Sequence, residues 1–126
     1  MQLWQAVCDF DGTISTHDVT DDLLMRFAKP GWEALEDAWR AGQIGSRECM
    51  TGQIEFLDAS KHELDTALDA MSIDPMFVRF AETASSMGID LLVASDGVDY
   101  AIKRILSNHG LEHLKIVANR LEPFGE

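Results

Sequence analysis

Two aspartates one residue apart, Asp9 and Asp11, stand at the end of an apolar stretch and are followed at once by Gly12 and Thr13. A turn at Gly12 can bring Asp11 toward the cavity that Asp9 faces. A carboxylate can attack phosphorus and carry the phosphoryl group as an acyl phosphate. A second carboxyl beside it can give a proton to the leaving alcohol and then take one from the attacking water. That division of labour needs unequal surroundings, with the nucleophile ionised beside a cation and its partner able to hold a proton. An Asp-x-Asp pair can also be no more than a strand-end cap and an Asp-Gly turn. Here a second polar strand end, Ser95-Asp96-Gly97, follows another apolar run, and ligands of open α/β sheets bind beyond the carboxyl ends of the strands. The two together favour chemistry.

Positioning these residues takes a sheet. Leu3 to Cys8 and Ile89 to Ala94 are short apolar runs without helical period, as in strands buried on both faces of a parallel sheet, and Lys115 to Ala118 is a shorter third. The chain between the first two is patterned as helices. Val19 to Ala28 ends at Lys29-Pro30-Gly31; Trp32, Leu35 and Trp39 recur at helical spacing up to Gly42; Ser46 is expected to cap a helix through Leu57. Ser60 and Glu63 have the spacing of a capping box, and Asp74-Pro75 pairs an N-cap with proline at the first helical position, opening a helix to Gly88. A helix from Gly97 to His109 links the second strand to the third, a crossover that is right-handed almost without exception. The four helical segments from Val19 to about Met71 exceed what a crossover needs. The expected division is therefore an α/β core from 1–14 and 75–126 with an all-α helical cap inserted over 15–74.

Composition narrows the ligand. A formal charge of −12, with only ten Lys and Arg scattered along 126 residues, excludes a nucleic-acid-binding module, which needs clustered cations for the phosphate backbone. If the ligand is itself an anion, a cation must bridge it to the protein. Cys8 and Cys49 are too few for a disulfide framework and are read as reduced packing residues. No apolar run approaches the roughly 20 residues that span a bilayer, and the N-terminus lacks a signal-peptide pattern, so no membrane partner and a cytoplasmic location are expected.

The stretch Asp9-Phe10-Asp11-Gly12-Thr13 resembles the first motif of the haloacid dehalogenase superfamily, and Val93-Ala94-Ser95-Asp96-Gly97 resembles its second. The inserted helices and the closing Ala118 to Glu122 are similar to the phosphoserine-phosphatase-like branch. Within that branch, Gly42-Gln43-Ile44, Ser46 to Cys49, and Gln53 resemble the methionine-salvage phosphatases acting on hydroxy-keto-methylthiopentenyl phosphate. The resemblance implies a three-layer, Rossmann-like core and an Mg2+-dependent phosphatase for a small phosphorylated metabolite, working through an aspartyl-phosphate. It implies that Asp9 is the nucleophile and an Mg2+ ligand, and that Asp11 is the acid/base and binds the metal through its backbone carbonyl. The Ser95 hydroxyl and the Asp96 N–H, with Gly97 beside them, would hold phosphate oxygens. Mg2+ suits an all-oxygen site and resolves the charge conflict.

The chain also departs from the family. The third-motif lysine and the acidic fourth motif cannot be placed; Lys103 and Lys115 precede the point where the third belongs, and the chain stops at Glu126 soon after the third strand. The core is thus expected to be incomplete at its C-terminal end. The resemblance puts the fourth-motif strand beside the first, so without it the first strand is an apolar edge, open to pairing in a homodimer. The competing expectation is an inactive truncated fragment, or a phosphate-binding module. Asp18 stands where phosphoserine-specific relatives have a glutamate for the amino group, and Thr51 or Gln53 where they have arginine for the carboxylate, which disfavours phosphoserine. Arg47 is read as solvated, His17 as a loop residue, Asp99 as a first-turn helix residue, and Trp32 and Trp39 as cap core.

Overall fold

The computed structural model describes residues 4–120. Among them, strands β1 (Gln5–Cys8), β2 (Asp90–Val98) and β3 (Lys115–Asn119) form one parallel sheet in the order β1-β2-β3. Val7 lies beside Leu92, and Val93 beside Ile116. Leu3, where the first strand was expected to begin, lies outside the described residues, as do the last two residues of the Ala118 to Glu122 stretch. Strand β2 is longer than its apolar run predicts. It continues through Ser95, Asp96 and Gly97 to Val98, and helix α6 (Asp99–Asn108) begins at Asp99 rather than at Gly97. Pairing with β3 holds this segment in extended form while its register slips, because Ala94 pairs with Val117 but Val98 with Asn119. Four steps on β2 against two on β3 form an irregularity, and such places bend a strand and re-aim its side chains.

Helices α1 (Val19–Phe27), α2 (Glu33–Arg40), α3 (Ser46–Glu55), α4 (Lys61–Asp69) and α5 (Pro75–Ser86) fill the interval between β1 and β2. Local chemistry sets several of their starts. The Asp18 carboxylate accepts from the Asp21 N–H at 2.9 Å, and that of Asp74 from the Met76 N–H at 2.9 Å. At α4 the Ser60 hydroxyl accepts from the Glu63 N–H at 3.1 Å while the Glu63 carboxylate accepts from the Ser60 N–H at 2.9 Å, a complete capping box. Helix α3 differs from expectation: Gly45 holds the cap position and Ser46 is the first helical residue. Its hydroxyl is engaged elsewhere, accepting from the Trp39 indole N–H at 3.1 Å.

One hydrophobic cluster joins the layers. Val93 of β2 and Ile102, Ile105 and Leu106 of α6 pack with Phe10 and Ile14 from the loop after β1, with Leu23 of α1 and with Leu68 of α4. Burying each such side chain contributes about 1.5–3 kcal/mol. Helix α4 is also fastened to α6 by polar contacts. Asp69 accepts from Arg104 through both carboxylate oxygens, at 2.7 and 2.9 Å, and from the Asn108 amide at 2.8 Å. Asp65 accepts from the Tyr100 hydroxyl and from the Lys61 ammonium. The chain leaves the β1 loop and returns to α5 along one seam, where Ser15 pairs antiparallel with Ile73 and the Asp74 N–H donates to the Ile14 carbonyl at 2.8 Å. Both edges of the described sheet expose an aliphatic side chain, Val7 on β1 and Val117 on β3. No helix of the described residues is long and apolar enough to cross a membrane.

Candidate active site

The loop after β1 is shaped by Phe10. Its fully buried ring anchors the chain between the two aspartates, and its carbonyl accepts from the N–H groups of Thr13, Ile14 and Ser15 at 3.2, 2.9 and 3.0 Å. Gly12 turns the chain at a φ of 72°, a conformation costly for residues with a Cβ. The buried Ser15 hydroxyl ties the turn together, accepting from the Gly12 N–H at 3.2 Å and donating to the His17 carbonyl at 2.6 Å. Asp11 is carried to the start of α1, where one of its oxygens accepts from the Val19 N–H at 3.1 Å.

The other Asp11 oxygen faces Gly97. A Cβ placed on Gly97 would stand 2.9 Å from Asp11 Oδ2, 3.3 Å from Ser95 Oγ and 3.6 Å from Thr20 Oγ1. The bare glycine is thus what allows a carboxylate and two hydroxyls to converge on one point. The Gly97 N–H donates to Ser95 Oγ at 2.9 Å, and the Asn119 amide at the end of β3 donates to the Asp96 carbonyl at 2.7 Å, which holds the bulged end of β2. Asp9 is exposed, and its carboxylate accepts from the Thr13 hydroxyl at 3.4 Å.

Burial pushes the Asp11 carboxyl up to about 6, against the pull of the Val19 N–H, and the charges of Asp18, Asp9 and Asp21 push it the same way as burial. Burial also raises Asp21, helped by Asp18 and Glu36 and opposed by Arg40.

A cavity of about 390 Å3 opens above this point. Asp11, Thr20, Asp96, Gly97 and Asn119 line it from the sheet side and the start of α1. Its remaining walls come from the expected cap region, with Asp18, Asp21 and Glu36, then Trp39, Arg40 and Arg47, then Cys49, Met50 and Gln53. Of the residues expected in the site, Asp11, Asp18, Gln53, Asp96 and Gly97 meet here. Ser95 reaches the convergence point without lining the cavity, and Asp9 lies outside the lining but close enough to act on Asp11 by charge. Thr51 and His17 are exposed and off the lining. Trp39 corrects the sequence reading: it is 45% exposed and forms part of the cavity wall instead of a cap core. Its indole is drawn there by Ser46. Arg47 is exposed as expected, yet it too is on the wall. Cys8 and Cys49 are both free thiols.

Sequence reasoning missed Thr20 and Asn119. Asn119 could have been found by applying the strand-end rule to the third strand as well as the first two. Thr20 carries no such signal, because a threonine in the second position of a helix is ordinary until a glycine is found against its hydroxyl. A groove of about 640 Å3 beside α6, lined by Lys61, Lys103 and Arg104 among others, contains none of the expected site residues.

The 2-hydroxy-3-keto-5-methylthiopentenyl-1-phosphate phosphatase of Brevibacillus brevis is 31% identical over 121 residues, covering 94% of this chain and 54% of that protein. The chain spans about half the length of the curated relatives it matches. A crystal structure of a haloacid-dehalogenase-type hydrolase from Salmonella enterica serovar Typhi shares the fold with a TM-score of 0.78 at 18% identity, over 94% of this chain and 42% of that one. A phosphoserine phosphatase solved as a phospho-aspartyl intermediate analogue does so with a TM-score of 0.75 at 19% identity, over 98% of this chain and 59% of that one. Residues 6–123 match the haloacid dehalogenase-like hydrolases, and the chain belongs to that family.

Proposed function

We propose that this chain carries the nucleophile and phosphate cradle of a phosphomonoester hydrolase acting on a small phosphorylated metabolite. The observation that carries the reading is the convergence at Gly97, where Asp11, Ser95 and Thr20 meet around a position that admits no side chain. Asp9 is the nucleophile. Its carboxylate oxygen bonds to phosphorus while the phosphorus–ester oxygen bond breaks, and the departing alkoxide takes the proton held by Asp11. A water then attacks the phosphorus of the aspartyl-phosphate, passing its proton to Asp11, and the Asp9 carboxylate and inorganic phosphate are released. A carboxyl raised to about 6 can serve in both directions near neutral pH, which supports the role given to Asp11. The Ser95 hydroxyl and the Asp96 and Gly97 N–H groups are assigned to the phosphate oxygens, where donors aimed at developing charge lower the barrier.

The donors at the site fit a hard cation. The two carboxylates offer only oxygen, Asp9 has a long hydroxyl partner, and the Asp11 carboxylate is destabilised by burial and by surrounding negative charge. Among the described residues no group of three His, Cys, Asp or Glu side chains forms a metal cluster, and Mg2+ takes one or two carboxylates with phosphate and water. The Asp9 carboxylate and the Asp11 carbonyl would hold it. Mg2+ supplies charge that offsets the repulsion between these carboxylates and the phosphate.

The seam at Ser15 and Ile73 supports assigning 1–14 and 75–126 to the core and 15–74 to a cap, with Asp18 and Gln53 facing substrate from the cap side. The relatives named as phosphatases of a keto-methylthiopentenyl phosphate support the same class of substrate here. Asp9→Asn tests the reading: it abolishes turnover of p-nitrophenyl phosphate in Mg2+, and unchanged turnover refutes the assignment.

A further inference from the structure

Of the three side chains that meet at Gly97, Asp11 and Ser95 have a part in the two steps of the reaction and Thr20 has none. Thr20 is 7% exposed, and its hydroxyl oxygen stands 3.6 Å from the Cβ position of Gly97, in the wall of the cavity. A helical threonine commonly satisfies its hydroxyl on a nearby backbone carbonyl. Among the described residues no group bonds to this one. A buried hydroxyl left unpaired costs about 1–3 kcal/mol, and a valine would fill the same space without that cost. The amide Nε2 of Gln53, in the same cavity wall, is also unpaired, but Thr20 is the residue set beside Asp11 and Ser95.

Its neighbours decide what the hydroxyl can meet. Val19, the residue before it, holds Asp11 Oδ1 at 3.1 Å, so Oδ2 is the Asp11 oxygen turned to Gly97. The start of α1 thus fixes the carboxylate with one residue and sets a hydroxyl near its free oxygen with the next. Ser95 Oγ already accepts from the Gly97 N–H at 2.9 Å, which leaves its proton for a phosphate oxygen. A phosphate calls for donors, and the Ser95 hydroxyl and the Asp96 N–H are there to supply them. A water that attacks phosphorus has the opposite need. It must keep a lone pair for phosphorus, and it is held best when each of its protons meets an acceptor. Asp11 Oδ2 and Thr20 Oγ1, both within 3.6 Å of one point, are two such acceptors.

We infer that Thr20 positions the water that hydrolyses the aspartyl-phosphate. The water donates one proton to Asp11 Oδ2 and the other to Thr20 Oγ1, which leaves a lone pair for phosphorus. As the water oxygen bonds to phosphorus, the bond from phosphorus to the Asp9 oxygen breaks. Asp11 takes the first proton, and the second leaves with inorganic phosphate. The inference rests on the aspartyl-phosphate reading and adds a residue to its second step alone, since the first step has no water to hold.

The test separates the two steps in the full chain with Mg2+ and p-nitrophenyl phosphate. In Thr20→Val, hydrolysis of the aspartyl-phosphate slows about tenfold, as for the loss of one neutral hydrogen bond. Nitrophenol then appears in a burst that precedes a slower steady rate. kcat and KM fall together, while kcat/KM, which reports only the steps through release of the alcohol, is unchanged. Thr20→Ser restores the hydroxyl and with it the parent's time course. A second readout needs no turnover. Tetrafluoroaluminate on the Asp9 carboxylate takes an axial water and imitates the hydrolytic transition state, whereas beryllofluoride imitates the aspartyl-phosphate before attack. In calorimetric titrations with Mg2+, Thr20→Val weakens tetrafluoroaluminate about tenfold and binds beryllofluoride as the parent does. A Thr20→Val variant that lowers kcat/KM without a burst, weakens both fluorides equally, or matches the parent throughout overturns the inference and leaves the phosphatase reading standing. A parent that neither turns over the ester nor binds beryllofluoride refutes the phosphatase reading, and the role of Thr20 falls with it.

Discussion

Replacing Asp11 by asparagine should make the protein more stable in the absence of divalent ions, although the residue is placed at the centre of the chemistry. The side chain keeps its shape, and its carbonyl oxygen can still accept from the Val19 N–H at 3.1 Å. What is removed is a negative charge that burial and three neighbouring aspartates oppose. The folded-state value is about 6 against 3.8 for the free group, roughly two pH units. At about 1.36 kcal/mol per unit this is nearly 3 kcal/mol, which solvent screening of a partly exposed carboxylate reduces to about 1–2 kcal/mol. The sign follows from linkage. A raised carboxyl value favours folding while the group is protonated, so that contribution is present below about 3.8 and is lost as the pH rises through about 6. Asp11→Asn has no such group to ionise. Urea denaturation in EDTA should therefore show the variant ahead by about 1–2 kcal/mol at pH 7.5, with the two curves converging near pH 4. Added Mg2+ should raise the parent more than the variant. A variant that is no more stable at pH 7.5, or whose advantage is the same at both pH values, refutes the account of the site's electrostatics.

Gly97→Ala should cost about 1–3 kcal/mol and abolish Mg2+-dependent binding of beryllofluoride, because the new methyl group stands 2.9 Å from one oxygen of an Asp11 carboxylate whose other oxygen Val19 holds. Calorimetric titration checks the binding, and retained affinity counts against the phosphate cradle. Arg104→Ala should lower the melting temperature at neutral pH by releasing α4 from α6. The guanidinium holds the Asp69 carboxyl down at about 2, so this contribution is present above the unfolded value of 3.8 and is lost as the pH falls through about 2. The difference from the parent should shrink over that window and in high salt. A pH-independent difference would point to packing of the arginine stem instead.

Much of the framework is legible in local sequence because its causes are local. The capping box at Ser60 and Glu63, the Asp74-Pro75 helix start and the three apolar runs each act within a few residues, and the structure places helices and strands accordingly. The motif around Asp9 and Asp11 is of the same kind, since Phe10, Gly12 and Ser15 build its turn from hydrogen bonds inside nine residues. Where the sequence reading was wrong, a partner distant in sequence or across a loop had taken over. Pairing with β3 carried β2 past Ser95 to Val98, and Ser46 engaged the Trp39 indole rather than a helix N–H.

The sequence by itself determined which groups are available for chemistry: two carboxylates on a glycine turn, a Ser-Asp-Gly strand end, and a negative balance that calls for a cation. Only the tertiary structure decided their relations. It brought Thr20 and Ser95 to the same point as Asp11, raised the proton affinity of Asp11 through burial and neighbouring charge, and buried the Gln53 amide without a partner. Desolvation, Coulomb repulsion and hydrogen-bond satisfaction depend on distances between segments tens of residues apart, and local spacing does not encode those distances.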